Sequence, residues 1–430
     1  MTETTRRGFV TSTVGTLGAG ALLASLGTAA GDAVADELGS AVDDPAFWRL
    51  VQKQFRLDPG LLYFNNASLG PSPALVADAT EHYRRTLDAF PSRWMWGGWK
   101  DEYEAVRTKG AELLGASPEE IALIHNTTEG MNLVAFSLDL KAGDEVIVAD
   151  HEHYSGTIPW EYWQVPKGVR LVRPTLPLLP SEPAEIVDVY RRAITPRTRV
   201  ISMCHVVNTN GMILPVKEVS EMARARGILV AVDGAQAPGH IDVDLHDLGC
   251  DYYAASAHKW LFSPKGVGVF YARQASQPQL RPLIVAHGWE DESIRRLENY
   301  NTRNLPEVLG LGVAFDFQQL LGPGRRSARI LELKRKFRTS LENDPAFQIK
   351  TPPDDSLSAG IQTIEIVGRD VREVATKLAE GHLIDCRPMS SHGLNGLRIS
   401  LSVFNSENQI EVLTAALREA AGSRKSSSAE

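Results

Sequence analysis

Two short segments each carry an apolar run into a residue that can do chemistry. Five apolar residues starting at Ile228 lead to Asp233, and the run starting at Tyr252 leads to Lys259. A buried carboxylate costs free energy unless it meets a cation, and the protonated ring nitrogen of pyridoxal phosphate (PLP) is such a cation. A Schiff-base lysine needs a pKa lowered by desolvation and nearby positive charge. Alone, Asp233 also fits a turn cap and Lys259 a surface lysine; together they favour a PLP site.

The elements that position these residues alternate from about residue 70 to 275. Short β-branched runs between helical patterns predict parallel strands joined by crossover helices. The predicted strands are Ile121–His125, Glu145–Ala149, Val200–Cys204, Ile228–Val232 and Tyr252–Ala255. The helices predicted among them include Met131–Leu138 and Lys217–Arg226. In open α/β sheets a ligand lies beyond the carboxyl ends of the strands, where Asp233 and Lys259 stand.

After about Pro306 the pattern changes to long helices around two apolar runs. The helices are Arg325–Leu341 and Asp370–Glu380, and the runs are Ile361–Val367 and Leu397–Leu401. We therefore predict a large domain at 71–300 and a smaller α+β domain at 301–422. Residues 36–70 form an N-terminal segment, polar up to residue 60, part of which joins the smaller domain. The Ser-rich residues 423–430 are predicted to be a disordered tail.

The whole-chain composition is that of an ordinary globular protein. The chain has 430 residues, 43% of them hydrophobic, and a net charge of −8. The acidic balance argues against a nucleic-acid partner, because phosphate binding needs clustered Lys and Arg. Three cysteines give no disulfide framework, so Cys204, Cys250 and Cys386 are interpreted as small buried hydrophobic residues.

Residues 1–35 differ in kind from the rest. Arg6 and Arg7 precede a Gly- and Ala-rich apolar run that ends in Ala33-Val34-Ala35. This pattern resembles a twin-arginine (Tat) signal peptide with a small-residue cleavage site. It predicts export by the Tat machinery to the periplasm or beyond. An uncleaved segment that serves as a membrane anchor is the alternative.

Two motifs resemble those of the class V aminotransferases, which include cysteine desulfurases and isopenicillin N epimerases. Ser256-Ala257-His258-Lys259 is similar to the family's Ser-Gly-His-Lys motif, and Asp233-Gly234-Ala235-Gln236 to its aspartate–glutamine pair. The resemblance runs from about residue 60 to 420. It implies the PLP-dependent transferase fold type I, an α/β fold with a mostly parallel seven-stranded sheet. It also implies PLP as the cofactor, carried by Lys259.

The same resemblance implies roles for further residues. His153 would stack on the pyridine ring and relay protons, acting with Lys259 and Asp233 in catalysis. Asn208 and Gln236 would hydrogen-bond the cofactor's phenolic oxygen. The cofactor phosphate would meet the helix that follows Asn126, and its contacts are Thr127, Thr128, Ser256 and His258. Asp150-His151-Glu152-His153 could instead be a metal site, but its spacing fits no common ligand set, so we predict no metal.

Substrate and partner predictions follow from other matches. Arg398 matches the arginine that clamps a substrate carboxylate, a role suited to its bidentate fork; an exposed strand arginine is the alternative. Asn65 and Asn66 are expected to lie by the substrate. Thr302, in Asn301-Thr302-Arg303, matches the threonine that reaches the phosphate of a neighbouring subunit. That match implies a homodimer with shared sites.

The reaction is less determined than the cofactor. Arg387 to His392 contains no cysteine, which disfavours a desulfurase, and Tyr63 to Gly70 looks like the epimerase branch. The layout also resembles periplasmic PLP enzymes that tailor siderophores. We expect an exported enzyme acting on an amino-acid unit of a peptide or secondary metabolite by transamination, epimerisation or oxidative decarboxylation. An isopenicillin N epimerase-type racemase and a non-catalytic PLP-fold binding protein are the alternatives. The lack of a Gly-rich phosphate fingerprint argues against a nucleotide-binding enzyme.

Overall fold

The computed structural model describes residue 34, residues 36–39 and residues 44–422. Apart from residue 34, the predicted signal segment lies outside these residues, as does the predicted tail at 423–430. Within the described part, no helix has the length and apolar character needed to cross a bilayer.

The strands fall into one large sheet and two smaller ones. In chain order they are β1 (Leu62–Tyr63), β2 (Ile121–Ile124), β3 (Glu145–Val148), β4 (Arg170–Val172), β5 (Thr198–Cys204), β6 (Leu229–Asp233), β7 (Tyr252–Ser256), β8 (Gly268–Ala272), β9 (Phe347–Ile349), β10 (Ile361–Ile366), β11 (Ile384–Asp385), β12 (Arg387–Met389) and β13 (Gly396–Ser400). The large sheet has seven strands in the order β2-β8-β7-β6-β5-β3-β4. Strands β3 to β7 pair in parallel, whereas β8 runs antiparallel to both of its neighbours. The mostly parallel sheet of the α/β prediction is confirmed.

The main helices cover both faces of this sheet and one face of the smaller unit. They are α1 (Asp44–Lys53), α2 (Ala74–Ala89), α3 (Lys100–Leu114), α4 (Thr127–Ser137), α5 (Tyr154–Lys167), α6 (Pro183–Ala193), α7 (Val216–Arg224), α8 (Leu245–Leu248), α9 (Leu305–Leu321), α10 (Pro323–Leu341), α11 (Val371–His382) and α12 (Glu407–Ala421). Shorter turns lie at Pro91–Arg93, Pro118–Glu120, Gln274–Gln279 and Ile294–Leu297. Helix α7 ends at Arg224, and the chain turns at Gly227, three residues later, whose φ of 67° suits a residue without a Cβ.

The smaller unit is an antiparallel sheet in the order β12-β13-β10-β9, packed against α10, α11 and α12. Strand β1 pairs in parallel with β11, so the N-terminal segment does contribute to this unit. Helix α9, which the sequence places in the smaller domain, packs instead along α2 and α3 of the larger unit. Its buried residues surround the whole helix because it is covered on every side.

Two segments differ in character from what their composition predicts. The polar stretch before residue 60 contains α1, which buries Phe47, Trp48 and Val51 against the body of the protein because its apolar residues share one face. The Trp-rich segment at 94–99 contains both buried and exposed side chains. Trp99 is buried and stacks on Trp94 at a ring distance of 5.0 Å, whereas Trp96 is 65% exposed. Trp94 and Trp99 therefore pack into the core, whereas Trp96 does not.

Candidate active site

Asp233 ends β6 and is 4% exposed at the edge where the parallel strands terminate. Its Oδ1 accepts a hydrogen bond from the backbone N–H of Ala235 at 2.9 Å. Among the described residues no ion pair reaches this carboxylate, although its charge raises the pKa of both His153 and Lys259. A buried carboxylate without a cationic contact needs a cation from elsewhere. The protonated ring nitrogen of PLP fits that requirement.

Lys259 lies just beyond β7 and is partly buried. Burial lowers the pKa of its amine from 10.5 to about 8, helped by the positive charge of Arg398 and opposed by Asp233. A substantial fraction of the amine is therefore neutral near neutral pH, as a nucleophile or a base requires. This is the charge environment that a Schiff-base lysine needs.

The backbone around Lys259 is held by the segment that follows β1. The N–H of Gly70 donates to the carbonyl of His258 at 2.8 Å, and a Cβ added to Gly70 would overlap the carbonyl oxygen of Lys259. Tyr63 supports the segment by donating its hydroxyl to the carbonyl of Leu69 at 2.6 Å. The lysine is thus fixed by a strand-end segment roughly 190 residues away in the chain.

Helix α4 begins beside the end of β7. Asn126 caps it by accepting the N–H of Glu129, and the N–H of Thr127 donates to Ser256 Oγ at 2.9 Å. The helix thus starts four residues before the predicted Met131, because Asn126 supplies the cap. The hydroxyls of Thr127 and Ser256 lie 2.9 Å apart. Backbone N–H groups and hydroxyls at a helix N-terminus suit a phosphate.

The acidic residue of this helix turns away from the phosphate position. Glu129 accepts from the backbone N–H of His125 at 2.7 Å and from the hydroxyl of Tyr300. Thr128 lies beside Ser155, with the two hydroxyls 2.8 Å apart. Burial lowers the pKa of His258 to about 4, so its ring is neutral and can bond a phosphate oxygen through N–H.

His153 caps the N-terminus of α5, with Nδ1 accepting the backbone N–H of Ser155 at 3.2 Å. Burial lowers the pKa of its imidazole, as do the nearby charges of Lys259 and Arg398. A neutral ring at this edge suits stacking and proton relay.

The neighbours of His153 do not converge as metal ligands would. His151 Nδ1 lies 3.0 Å from Thr209 Oγ1, Asp150 accepts from the N–H of Leu176, and Glu152 accepts from the N–H of Cys204. The four side chains of 150–153 therefore face four different partners.

The structure brings Gln236, Asn208 and Arg398 to the same edge. Gln236 donates to the carbonyl of Ala67 at 2.8 Å and accepts from the indole of Trp260, which leaves its second amide hydrogen for another partner. Asn208 is half-buried, and its carbonyl accepts from Arg398 Nη1 at 3.0 Å.

Arg398 is 2% exposed, which rules out the exposed-arginine alternative. Its Nη2 donates to Ser68 Oγ at 2.6 Å and to Asn65 Oδ1 at 3.3 Å. These partners are neutral oxygens, so the guanidinium charge remains to be matched. Burial lowers the pKa of Arg398 to about 9, and the charge of Arg387 adds to this. A substrate carboxylate would supply the missing anion.

Asn66 is fully buried, and both polar atoms of its side chain lack a hydrogen-bond partner. Such orphaned atoms in a native structure are rare and mark a place for a ligand or a water. Thr302 differs, because it is exposed and no hydrogen bond joins it to the Lys259 site within the described chain.

Two further residues belong to this edge, although the sequence predicts neither of them at the cofactor or substrate site. Ser68 is bonded to Arg398 and lies within the segment from Asn65 to Gly70. Glu152 is 7% exposed, and its Oε2 has no partner. A Cβ added to Gly156 would lie 3.5 Å from that atom and 3.6 Å from Asp233 Oδ2, so the two carboxylates are neighbours. Burial and Asp233 raise the pKa of Glu152 to about 8, so the neutral acid predominates at pH 7.

Comparison with known proteins agrees with this geometry. Residues 62–413 match the family described as Aminotransferase class-V. Isopenicillin N epimerase of Streptomyces clavuligerus is 35% identical to the chain over 389 residues, which cover 86% of this chain and 98% of the relative. The chain belongs to the class V aminotransferase family.

Solved structures of class V enzymes share the fold. A cysteine desulfurase from Escherichia coli superposes with a TM-score of 0.75 at 25% identity, covering 89% of this chain and 99% of that one. C-DES with glycine covalently linked to PLP superposes with a TM-score of 0.76 at 23% identity, covering 85% and 98%. Fold type I and PLP as the cofactor of this class V enzyme are thereby confirmed.

The residues present fit that cofactor. Lys259 would carry it, Asp233 would face its ring nitrogen, and the start of α4 with Ser256 would hold its phosphate. When bound, PLP supplies an electron sink that acidifies the Cα–H of an amino acid. The chain supplies the rest: a base in Lys259, a neutral ring in His153 and a carboxylate clamp in Arg398.

The rate at which the apoenzyme attaches PLP should depend on the lowered pKa of Lys259. Only the neutral amine attacks, so the rate should rise with pH to a plateau with its midpoint near 8 rather than 10.5. Arg398→Gln removes a positive charge and should raise the midpoint, whereas Asp233→Asn removes a negative charge and should lower it. Growth of visible absorbance at saturating PLP measures the rate. A wild-type midpoint near 10, or shifts of the same sign in both variants, contradicts this charge assignment.

Gly70→Ala should destabilise the enzyme, because its Cβ would meet the backbone of Lys259 and not a movable side chain. We expect a loss of roughly 1–3 kcal/mol, read as a lower Tm of the purified enzyme. Gly324→Ala is the matched control, since a Cβ there meets no atom within 4 Å. Equal Tm values for the two variants would show that the contact at Gly70 is unimportant.

Proposed function

We propose that this class V enzyme epimerises an amino-acid unit of a peptide or secondary metabolite. The observation that carries the proposal is the contact between the epimerase-like segment and the substrate clamp. Asn65 and Ser68 of that segment both bond Arg398, and its Gly70 bonds the backbone beside Lys259. The 35% identity to isopenicillin N epimerase over nearly its whole length supports the same reaction class.

In this proposal Arg398 binds the α-carboxylate and so turns the Cα–H toward Lys259. The neutral amine of Lys259 takes the proton from one face of Cα, and His153 would relay a solvent proton to the opposite face, which inverts the centre. Transamination and oxidative decarboxylation begin either with the same removal of the Cα proton or with loss of the carboxylate. The protein environment therefore decides which reaction follows. The proposal also disfavours a non-catalytic binding role, since Lys259, Asp233 and Arg398 are all in place.

Desulfuration lacks a suitable thiol. All three cysteines of the sequence are buried, and burial raises the pKa of Cys386, the one nearest the 387–392 segment, to about 12. A nucleophilic thiol needs the opposite, namely exposure and a lowered pKa.

Incubation of the holoenzyme with single L-amino acids and short peptides in D₂O tests the proposal. Epimerisation gives the D-isomer with deuterium at Cα and no net change in the cofactor spectrum. A 2-oxo acid instead points to transamination, and sulfide from cysteine points to desulfuration. Either of these products, formed without the D-isomer, overturns the epimerase assignment.

We further propose that the enzyme is a homodimer with shared sites. Thr302 is exposed next to Asn301, which is also exposed and has a left-handed φ of 57°. Helix α5 also exposes an apolar stripe that starts one residue after His153 and consists of Tyr154, Ile158, Tyr162 and Val165. Such a stripe is typical of an interaction surface.

Mixing two impaired variants tests the sharing of sites. If Thr302 acts across the interface, a mixed dimer of Lys259→Ala and Thr302→Ala contains one site with both residues intact. Its PLP affinity should then return to the wild-type value at half occupancy. A monomer by light scattering, or no recovery on mixing, rejects the shared site.

We also propose export through the Tat machinery, on the basis of Arg6, Arg7 and the small-residue run to Ala35. A chain that binds its cofactor before transport suits a route for folded proteins. Cell fractionation of the wild type beside Arg6→Lys/Arg7→Lys tests it; equal cytoplasmic retention of both chains contradicts it.

A further inference from the structure

Two arginines stand directly opposite each other in the smaller sheet. Arg387 of β12 pairs with Arg398 of β13 in the antiparallel register. Side chains of opposed residues lie on the same face of a sheet, and like charges in this arrangement are destabilising. Because Arg398 bonds residues of the active site, the shared face is the one that borders the active site.

The positive charge of Arg387 affects the pKa values of two residues of the site. It lowers the pKa of Arg398 and also that of His153, which lies on a different element. Among the described residues no carboxylate pairs with Arg387, and the side chain is exposed. Two neighbouring positive charges thus share one face of the sheet, and neither forms an ion pair with a carboxylate of the described chain.

The loop that follows Arg387 packs against a segment of the larger unit through His392. His392 adopts a left-handed φ of 56° and stacks on His151, with ring centroids 5.2 Å apart. His151 in turn bonds Thr209, the residue after Asn208, whose carbonyl holds Arg398. The two imidazoles are thereby linked, through Thr209, to the segment that holds Arg398.

We propose that Arg387 binds a second carboxylate of the substrate, so that the substrate unit is an amino dicarboxylate. This rests on the proposed function, in which Arg398 binds the α-carboxylate. Opposed Cα atoms in an antiparallel pair are about 4.5–5.5 Å apart, and flexible arginine side chains can bring their forks to the two ends of a short diacid. The second anion removes the repulsion between the guanidinium groups. It also gives selectivity for acidic over neutral side chains.

Binding of two unreactive acids to the holoenzyme tests this assignment. Glutarate has two carboxylates and butyrate has one, and neither has an amino group, so binding does not depend on the reaction. We expect glutarate to bind at least about tenfold more tightly by calorimetry, in line with a charge-assisted contact. In Arg387→Gln the preference should vanish while the affinity for butyrate changes less than about twofold. Arg192→Gln, an exposed arginine on α6, should keep the full preference.

Equal affinity of the wild type for the two acids overturns the second carboxylate site. A preference that survives in Arg387→Gln overturns the assignment to that residue. Failure of the proposed function is recognised separately, because it leaves the glutarate preference intact while no D-glutamate forms from L-glutamate.

Discussion

Lys259→Ala should abolish turnover, with a fall in kcat of at least about 10³-fold. The side chain is both the point of cofactor attachment and the base within reach of the substrate Cα. Its amine has the lowered pKa that both roles require, because burial and Arg398 disfavour the charged form. No other described residue at this edge offers a neutral amine. Initial rates of D-isomer formation, or of whichever product the wild type gives, provide the measurement.

The variant should remain folded. Lys259 forms no ion pair with a carboxylate of the described chain, so its removal leaves no carboxylate without a partner. Lys377→Ala, on the exposed face of α11, is the matched control and should keep full activity. The PLP-dependent visible band should be lost in Lys259→Ala and kept in the control. A Lys259→Ala enzyme within tenfold of the wild type would contradict the role of this lysine.

Asp233→Asn should lower kcat by roughly 10²–10³-fold, the range seen when one charge-stabilising group of a preorganised site is removed. The neutral amide cannot hold a proton on the cofactor ring nitrogen, so the electron sink is weakened. The amide oxygen can still accept the N–H of Ala235, as Oδ1 does now. The local fold should therefore survive, and the loss should appear in kcat while PLP binding weakens less.

Asp251→Asn is the control that distinguishes a loss of stability from a loss of catalysis. Asp251 is also buried next to β7, but at the opposite end of the strand, where it bonds Arg273, Ser276 and the N–H of Val230. This substitution should lower Tm and leave kcat per folded molecule nearly unchanged. If instead Asp233→Asn kept more than about a third of the wild-type kcat, the ring-nitrogen role would be wrong.

The sequence predicts the strand ends well because apolar runs that stop at polar residues are local patterns. Asp233 is the last residue of β6, and Lys259 follows the end of β7 by three residues. The predicted start of α4 at Met131 is four residues late, because the helix begins at Thr127. The cap that fixes the true start is a single side-chain contact, from Asn126 to the N–H of Glu129.

Other features depend on contacts that composition does not encode. Ser68 meets Arg398 across 330 residues of sequence. Glu152 looked like a metal-ligand candidate in a row of His and acids, and only the close approach of α5 at Gly156 places it beside Asp233. The pairing of Arg387 with Arg398 follows from the register of two short strands. The packing of α9 along α2 and α3 is not encoded locally either, because an apolar helix does not reveal which neighbours bury it.

The most direct test of the account is borohydride reduction of the purified holoenzyme followed by peptide mass mapping. Reduction fixes the lysine–cofactor linkage, so the cofactor mass should appear on the peptide that contains Lys259 and on no other lysine. The visible band at about 420 nm should disappear at the same time. A colourless protein that binds no added PLP, or a cofactor mass on a different lysine, would contradict the site described for this enzyme.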